Sequence, residues 1–395
     1  MVEGKGLGTV AECMAIAECL AIKGHEVRFL VNPSHAQIVS RFFDCSVVHP
    51  RLEGVAPPRT QDVTLGDAAL LYGFASAQYL DDAVSSELKE IDSFLPHCVV
   101  SSVKTTARIS TEIRGLPLAS IAASTEAPGF KSQLFPGYQV PRESVEGLNL
   151  VLRKYGQKQA EDFAELSFAR SELGLAPTGP ELDPGLTPFS RVHFVGPLLP
   201  VGLHLCGDSS FSIGQVSSSA IIMYLNRGSH DRTYERALAE ALGAQFFPDF
   251  QLYVLGGTSE EPYSDSGITY CRQLPLTRIL SRAALLVSAG GRGGMQAALM
   301  QEVPIVALPG LHAERHFNSV SFASRGAARL VLGKNPPILE VVQSARDAII
   351  SRGQKVPSTT SAAAHLRALP GGAGAARLIE ELGQGIVHEA DEGKQ

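Results

Sequence analysis

The sequence predicts an α/β chain made of two parallel-sheet domains, and three observations predict it. Apolar strand patterns alternate with helical ones, and the alternation recurs in both halves of the chain. Its 395 residues exceed what one ordinary hydrophobic core organises. The segment 285–332 runs strand, glycine cluster, helix, strand, helix, the order of a parallel βαβ unit. A hydrophobic content of 44% and 38 glycines suit a chain rich in strand-to-helix turns.

In the first half, residues 10–23 read as a helix, and 26–31, 99–101 and 118–121 as strands. Apolar residues at helical spacing over 145–173 predict long helices. Residues 197–218 are polar with Gly and Ser, which places a linker at 201–218 between a first domain, 1–200, and a second, 219–372. In the second half, 221–225, 252–255, 285–288 and 305–308 read as strands, 226–231 as a loop, and 233–242 and 295–301 as helices. Residues 356–364 form a loose Ser/Thr/Ala stretch, and 373–382 a last helix followed by a charged tail expected to be disordered. A Rossmann-like half begins with a buried strand before its first glycine turn. Only Met1-Val2-Glu3-Gly4-Lys5 precede Gly6, too short and polar for that strand. The expectation is a natural start upstream of Met1, and the alternative is a sheet one strand short.

The bulk properties exclude several classes of function. A net charge of −6 disfavours a nucleic-acid partner, whose phosphates require a basic surface. No apolar run approaches the roughly 20 residues that span a bilayer, and the N-terminus lacks the apolar centre of a signal peptide. Cys13, Cys19, Cys45, Cys98, Cys206 and Cys271 show no CxxC spacing, so reduced thiols in a cytoplasmic protein are expected and a metal site is not.

The glycine cluster is the most informative segment. A glycine-rich turn between a strand and a helix is an anion site, because backbone N–H groups point outward and the helix dipole favours negative charge. The segment reads Ala289-Gly290-Gly291-Arg292-Gly293-Gly294, then Ala297-Ala298-Leu299, Val303-Pro304, Pro309, Glu314-Arg315 and Asn318. Elsewhere the chain carries Gly6-Leu7-Gly8 before a helix, Gly24-His25-Glu26-Val27, Pro96-His97-Cys98-Val99-Val100-Ser101, Pro180-Glu181-Leu182-Asp183-Pro184, Val195-Gly196-Pro197-Leu198 and Leu369-Pro370-Gly371-Gly372. Taken in order, these resemble the nucleotide-sugar-dependent glycosyltransferases of family 1. That family's pattern is H-G-G-x-G-T-x-x-E-A-L, then G-V-P, P, a D/E-Q pair and Asn.

The resemblance spans almost the whole chain and implies the GT-B fold, two Rossmann-like parallel-sheet domains facing across a cleft. It implies no cofactor beyond a nucleotide-sugar co-substrate, taken as a UDP-sugar. The diphosphate is expected on Gly290, Gly291, Arg292, Gly293 and Gly294. The family's histidine and glutamate here are Ala289 and Ala297. Arg292, or Arg227 beside Ser229 in the loop after the first strand of the second domain, offers a guanidinium fork for phosphate. Each arginine equally suits a solvated loop. Leu274 lies in the segment matching the base-binding loop, and Glu314 matches the residue that binds sugar hydroxyls. Arg315 replaces the usual glutamine, and a guanidinium there suits the carboxylate of a uronic acid, or else an ion pair with Glu314 or a phosphate.

The family's catalytic His–Asp dyad corresponds to Thr9 and Ser102, so both members are absent. An alcohol acceptor gains about 10²–10⁴-fold from a positioned base. A nitrogen acceptor needs less help. Thr9 and Glu12 have the spacing of a helix capping box, which a structural cap alone would explain; in the functional reading they are the catalytic candidates, with Glu12 a substitute base or acceptor contact. Gly8 and Ser102 are the acceptor-side candidates. His35, His230 and His316 are expected as solvated loop residues and His25 as structural. The leading reading is a cytoplasmic inverting glycosyltransferase, monomer or homodimer, with a small-molecule donor and acceptor and neither nucleic-acid nor membrane partners. An acidic sugar passed to nitrogen would suit nucleoside-antibiotic biosynthesis. The alternatives are a catalytically degenerate nucleotide-binding or partner protein and a sugar-nucleotide 2-epimerase.

Overall fold

The computed structural model describes residues 7–47, 64–71, 73–139, 142–200, 219–225, 230–256, 263–271, 276–352 and 357–385. The chain divides into two compact units, Met1–Leu203 with Leu369–Gln395, and His204–Ala368. The expected linker 201–218 lies outside the described residues, as does the tail beyond 385.

The first unit begins with α1 (Leu7–Ile22), β1 (Arg28–Val31), α2 (Pro33–Val39) and β2 (Asp44–Val47). It continues through α3 (Leu65–Leu71), α4 (Ala77–Phe94), β3 (Val99–Ser102), α5 (Thr105–Arg114) and β4 (Leu118–Ile121). The last elements before the second unit are α6 (Glu143–Lys154), β5 (Leu173–Ala176) and β6 (Val192–Phe194). Among the described residues the pairings are parallel, in one sheet of order β3-β4-β5-β6 and one of β1-β2. Among the described residues no strand joins the two sheets, and residues 1–6 lie outside them. The helix expected over 145–173 is broken after Lys154, where Gly156 takes φ +69°, resumes as a short π-helix over Glu165–Ala169, and gives way at Leu173 to a fully buried strand. Its run Leu-Gly-Leu-Ala also satisfies a helical pattern, since a strand buried on both faces shows no alternation.

The second unit is built on β7 (Ala220–Tyr224), α7 (Arg232–Phe246), β8 (Gln251–Leu255), β9 (Tyr263–Asp265) and β10 (Ile268–Cys271). Then come α8 (Leu276–Ile279), β11 (Ala283–Ser288), α9 (Arg292–Met300), β12 (Ile305–Ala307) and α10 (Ala313–Ser324). β13 (Arg329–Leu330), α11 (Ile338–Ile350) and α12 (Pro357–Ala368) complete the unit. The sheet order is β13-β12-β11-β7-β8-β10-β9, parallel except for β9 on the edge. β11 is buried along its whole length, and β7 and β8 carry the core with Leu238, Leu242, Val341 and Ala345 of the covering helices. The stretch 356–364, expected to be loose, lies mostly in α12. Pro357 begins that helix and alanines carry it, a composition with high helix propensity and a weak apolar stripe.

Residues 369–372, assigned by sequence to the second domain, are held by the first unit. The Gly371 N–H donates to the Val195 carbonyl at 2.6 Å, and Leu369 packs directly on Gly196. α13 (Gly371–Gly383) then lies on α1, where Glu380 accepts from Lys23 and from His25 Nε2 at 2.7 Å. The described cysteines are free, and burial pushes the Cys13 thiol up to about 12 and Cys98 to about 11, which keeps them unreactive. No described helix is long and apolar enough to cross a membrane.

Candidate functional site

In the second unit β7 lies between β8, which follows it in the chain, and β11, which the chain reaches only after returning from β10, so the strand order reverses between β7 and β11. In open α/β sheets the crevice at the carboxyl ends of two such strands is where ligands bind. The turn after β11 lies there. The Ala289 N–H donates to the Tyr224 carbonyl at 3.1 Å, tying the turn to the end of β7. Gly290 donates its N–H to Ser288 Oγ at 3.1 Å and takes φ +87°. A Cβ at Gly290 would stand 2.6 Å from the Arg315 carbonyl oxygen and 2.5 Å from Ser319 Oγ. Only glycine fits there.

Gly291 differs. Its backbone is ordinary, φ −67° and ψ 124°, and no atom lies within 4 Å of the position its Cβ would take. It is the N-cap of α9, so the first N–H groups of that helix lack intrahelical acceptors. Helix α9 starts at Arg292 rather than Met295, which moves Gly293 and Gly294 from the turn into the first helical turn. Glycines have so little local preference that the pattern alone did not set this boundary. Arg292 is half-buried at the head of the helix. Ala289 and Ala297 are 2% and 3% exposed, closing into the core the positions where the family carries polar side chains.

Helix α10 braces the turn. Asn318 Nδ2 donates to the Gly290 carbonyl at 3.2 Å and makes a longer contact, 3.5 Å, with Glu314 Oε1 one turn earlier. Glu314 and Arg315 are half-buried, and the backbone and Cβ of Arg315 sit against Gly290. Gly290, Glu314, Arg315 and Asn318 therefore form one local group. Asn318 was legible only as a motif position; its role in holding the turn follows from its spacing to Glu314 and from the helix packing. Asn318→Ala leaves the Gly290 carbonyl without this donor. The expected loss is about 1–3 kcal/mol, read as a lowered melting temperature in denaturation of the purified chain.

The three histidines expected in solvent are buried instead: His35 at 2%, His230 at 5% and His316 at 9% exposure. Both ring nitrogens of His230 face backbone carbonyls, Nε2 at 3.0 Å from Leu308 and Nδ1 against Lys334. It joins the start of α7 to the segments after β12 and β13, partners too distant in sequence to be read locally. Desolvation holds His316 below the usual imidazole range. Arg227, Ser229 and Leu274 lie outside the described residues.

In the first unit, α1 packs on β3, whose last residue is Ser102, 1% exposed. Helix α1 already includes Leu7 and Gly8, so Thr9 is inside the first turn and is not the N-cap that its spacing to Glu12 predicted. The pattern Thr-x-x-Glu fits any i, i+3 pair on a helix face, and the helix extends further toward its N-terminus than the apolar pattern does. Thr9 and Glu12 are half-buried and Gly8 is exposed with open space at its Cβ position. Among the described residues no group of three or more His, Cys, Asp or Glu is placed to hold a metal ion.

No model of a known protein family matches the chain. Among curated proteins it is similar to the PGL/p-HBAD biosynthesis rhamnosyltransferase of Mycobacterium bovis (strain BCG / Pasteur 1173P2), 22% identical over 360 residues, covering 83% of this chain and 75% of the relative. Among solved structures it is similar to CalG4, the calicheamicin glycosyltransferase, with a TM-score of 0.69, 15% identity, and coverage of 98% of this chain and 97% of that one. It is also similar to the Streptomyces sp. SF2575 glycosyltransferase SsfS6 complexed with thymidine diphosphate, with a TM-score of 0.65, 18% identity, and coverage of 96% and 98%. Likeness over the full length, together with the two sheet-based units, establishes that this chain has the GT-B fold.

Proposed function

We propose that the chain is a glycosyltransferase that moves a sugar from a nucleoside-diphosphate sugar to a small acceptor. The observation that carries this reading is the Gly290–Gly291 turn, braced by Asn318 at the carboxyl end of β11 and opening α9 without a side-chain cap. The similarity to a curated rhamnosyltransferase and to antibiotic glycosyltransferases supports it. In this reading the acceptor attacks the anomeric carbon as its bond to the diphosphate oxygen breaks, with inversion. The α9 N-terminus stabilises the charge that develops on the leaving diphosphate. Glu314 holds sugar hydroxyls. Glu12, on the same face of α1 as Thr9, takes the acceptor proton, and Gly8 and Ser102 line the acceptor.

The finer reading is a uronic acid donor and a nitrogen acceptor, as in a cytosylglucuronate synthase. Arg315 at the glycine turn motivates the acid donor, and the absence of a His–Asp pair at Thr9 and Ser102 motivates the nitrogen. A nitrogen nucleophile depends less on a strong base than a hydroxyl does. The donor base is read as uracil; the thymidine diphosphate bound in SsfS6 makes thymine the alternative. The test is calorimetry with UDP and TDP, followed by incubation of UDP-glucuronate, UDP-glucose or TDP-rhamnose with cytosine or methyl 4-hydroxybenzoate. Mass spectrometry reads the products. The expected result is diphosphate binding and transfer of glucuronate to cytosine. Binding without transfer to any acceptor would favour the non-catalytic alternative, and absence of binding would reject the glycosyltransferase reading.

A further inference from the structure

The turn between β3 and α5 consists of Val103 and Lys104, and both residues are unusual. Val103 takes φ 57°, a left-handed conformation that a β-branched side chain strongly disfavours. Lys104 is 0% exposed, and its Nζ lies 3.1 Å from Oε1 of Glu87, also 0% exposed, on α4. Thr106 Oγ1 donates to Glu87 Oε1 at 2.5 Å and Ser110 Oγ to Oε2 at 2.5 Å. Ser101 Oγ donates to the Lys104 carbonyl at 3.2 Å. The carboxylate thus gathers donors from the turn and from two positions along α5.

A buried ion pair of this kind is a poor source of stability, since desolvating two charges offsets most of their attraction, and apolar side chains of similar volume often do as well. What it supplies is direction. Lys104 precedes the first residue of α5 in an extended conformation, φ −104° and ψ 96°, and the left-handed step at Val103 sets the course of the chain into it. Strained backbone persists only where its surroundings over-determine it, and such sites cluster where ligands are held. The carboxyl end of a parallel strand is such a place.

We propose that Lys104 is a positioning residue, whose buried pair with Glu87 holds the β3–α5 turn in its strained form and so fixes the Ser102–Val103 edge against which the acceptor is oriented. This rests on the acceptor-side reading of Ser102 given above. The pair neutralises the Lys104 charge inside the unit, so the turn itself presents no unpaired lysine charge to the acceptor.

The experiment uses the full chain with Lys104→Met, Glu87→Met and the double variant. Each single variant strands one buried charge and should lower the melting temperature by on the order of 10 °C. The double variant should recover most of that loss. It should nevertheless lose the turn: its crystal structure should show Val103 at negative φ, and amide exchange over residues 101–106 should quicken by roughly tenfold or more. UDP and TDP affinities should be unchanged, while kcat/KM for transfer from UDP-glucuronate to cytosine falls by at least about tenfold. A double variant with Val103 still left-handed and native exchange would overturn the proposal. So would a relaxed turn with native turnover. Should the wild-type chain glycosylate neither cytosine nor methyl 4-hydroxybenzoate, the acceptor reading fails, and with it the positioning role, while the crystal structure and exchange still decide whether the pair holds the turn.

Discussion

Gly290→Ala should lower the melting temperature of the second unit by on the order of 10 °C, whereas Gly291→Ala should leave it nearly unchanged and still weaken nucleotide binding at least about tenfold. The two glycines are neighbours with opposite constraints. At Gly290 an added Cβ meets a backbone oxygen, that of Arg315, at 2.6 Å, and the residue keeps φ +87°. The left-handed conformation costs an alanine about 1–2 kcal/mol, and forcing α10 away adds about 1–3 kcal/mol. At Gly291 the backbone angles suit any residue and the Cβ position is open. Alanine is a somewhat poorer N-cap than glycine, so a loss below about 1 kcal/mol is expected there. The open space is what a diphosphate at the helix N-terminus would occupy, and a methyl group would hold it away from the N–H groups. Thermal melts and calorimetry with UDP and TDP separate the two effects. Native affinity in Gly291→Ala would remove the diphosphate from this turn.

The sequence exposed this pair as a glycine run but could not divide its labour, because the division depends on α10, about 25 residues on. The same limit explains the rest. The central strands β7, β8 and β11 were legible because strands buried on both faces are near-continuous apolar runs. Strand β9, three exposed residues paired only on one side, leaves no such trace. Glu314 and Arg315 could be located by their order after the glycines. His230 could not, since its partners Leu308 and Lys334 are 78 and 104 residues away. Lys104 and Glu87 look like ordinary surface charges until α4 and α5 pack together and bury both. The Thr9–Glu12 spacing misled for the opposite reason: a local pattern was present, but the helix had already begun.

Arg315→Gln should shift donor preference from UDP-glucuronate toward UDP-glucose by about ten- to a hundredfold. Arg315 lies on the first turn of α10, with its carbonyl and Cβ against Gly290, so its side chain starts beside the turn that this reading gives to the diphosphate. Glu314, its neighbour, takes sugar hydroxyls in the same reading. A guanidinium meeting a uronate carboxylate forms charge-assisted bonds, bidentate where the fork aligns, and hydrogen bonds to charged groups contribute about 1.5–3 kcal/mol. A glucose C6 hydroxyl offers one neutral acceptor to the same fork and gains less. Glutamine retains a donor for the hydroxyl and loses the charge, so the loss should fall on the acidic donor. The measurement is kcat/KM for both donors in both proteins, with UDP affinity as the control for the diphosphate site. Equal losses for the two donors, with weaker UDP binding, would assign Arg315 to the phosphates. Turnover by the wild-type chain with neutral hexose donors alone would reject the uronate, and the preference of Arg315 for an acid with it.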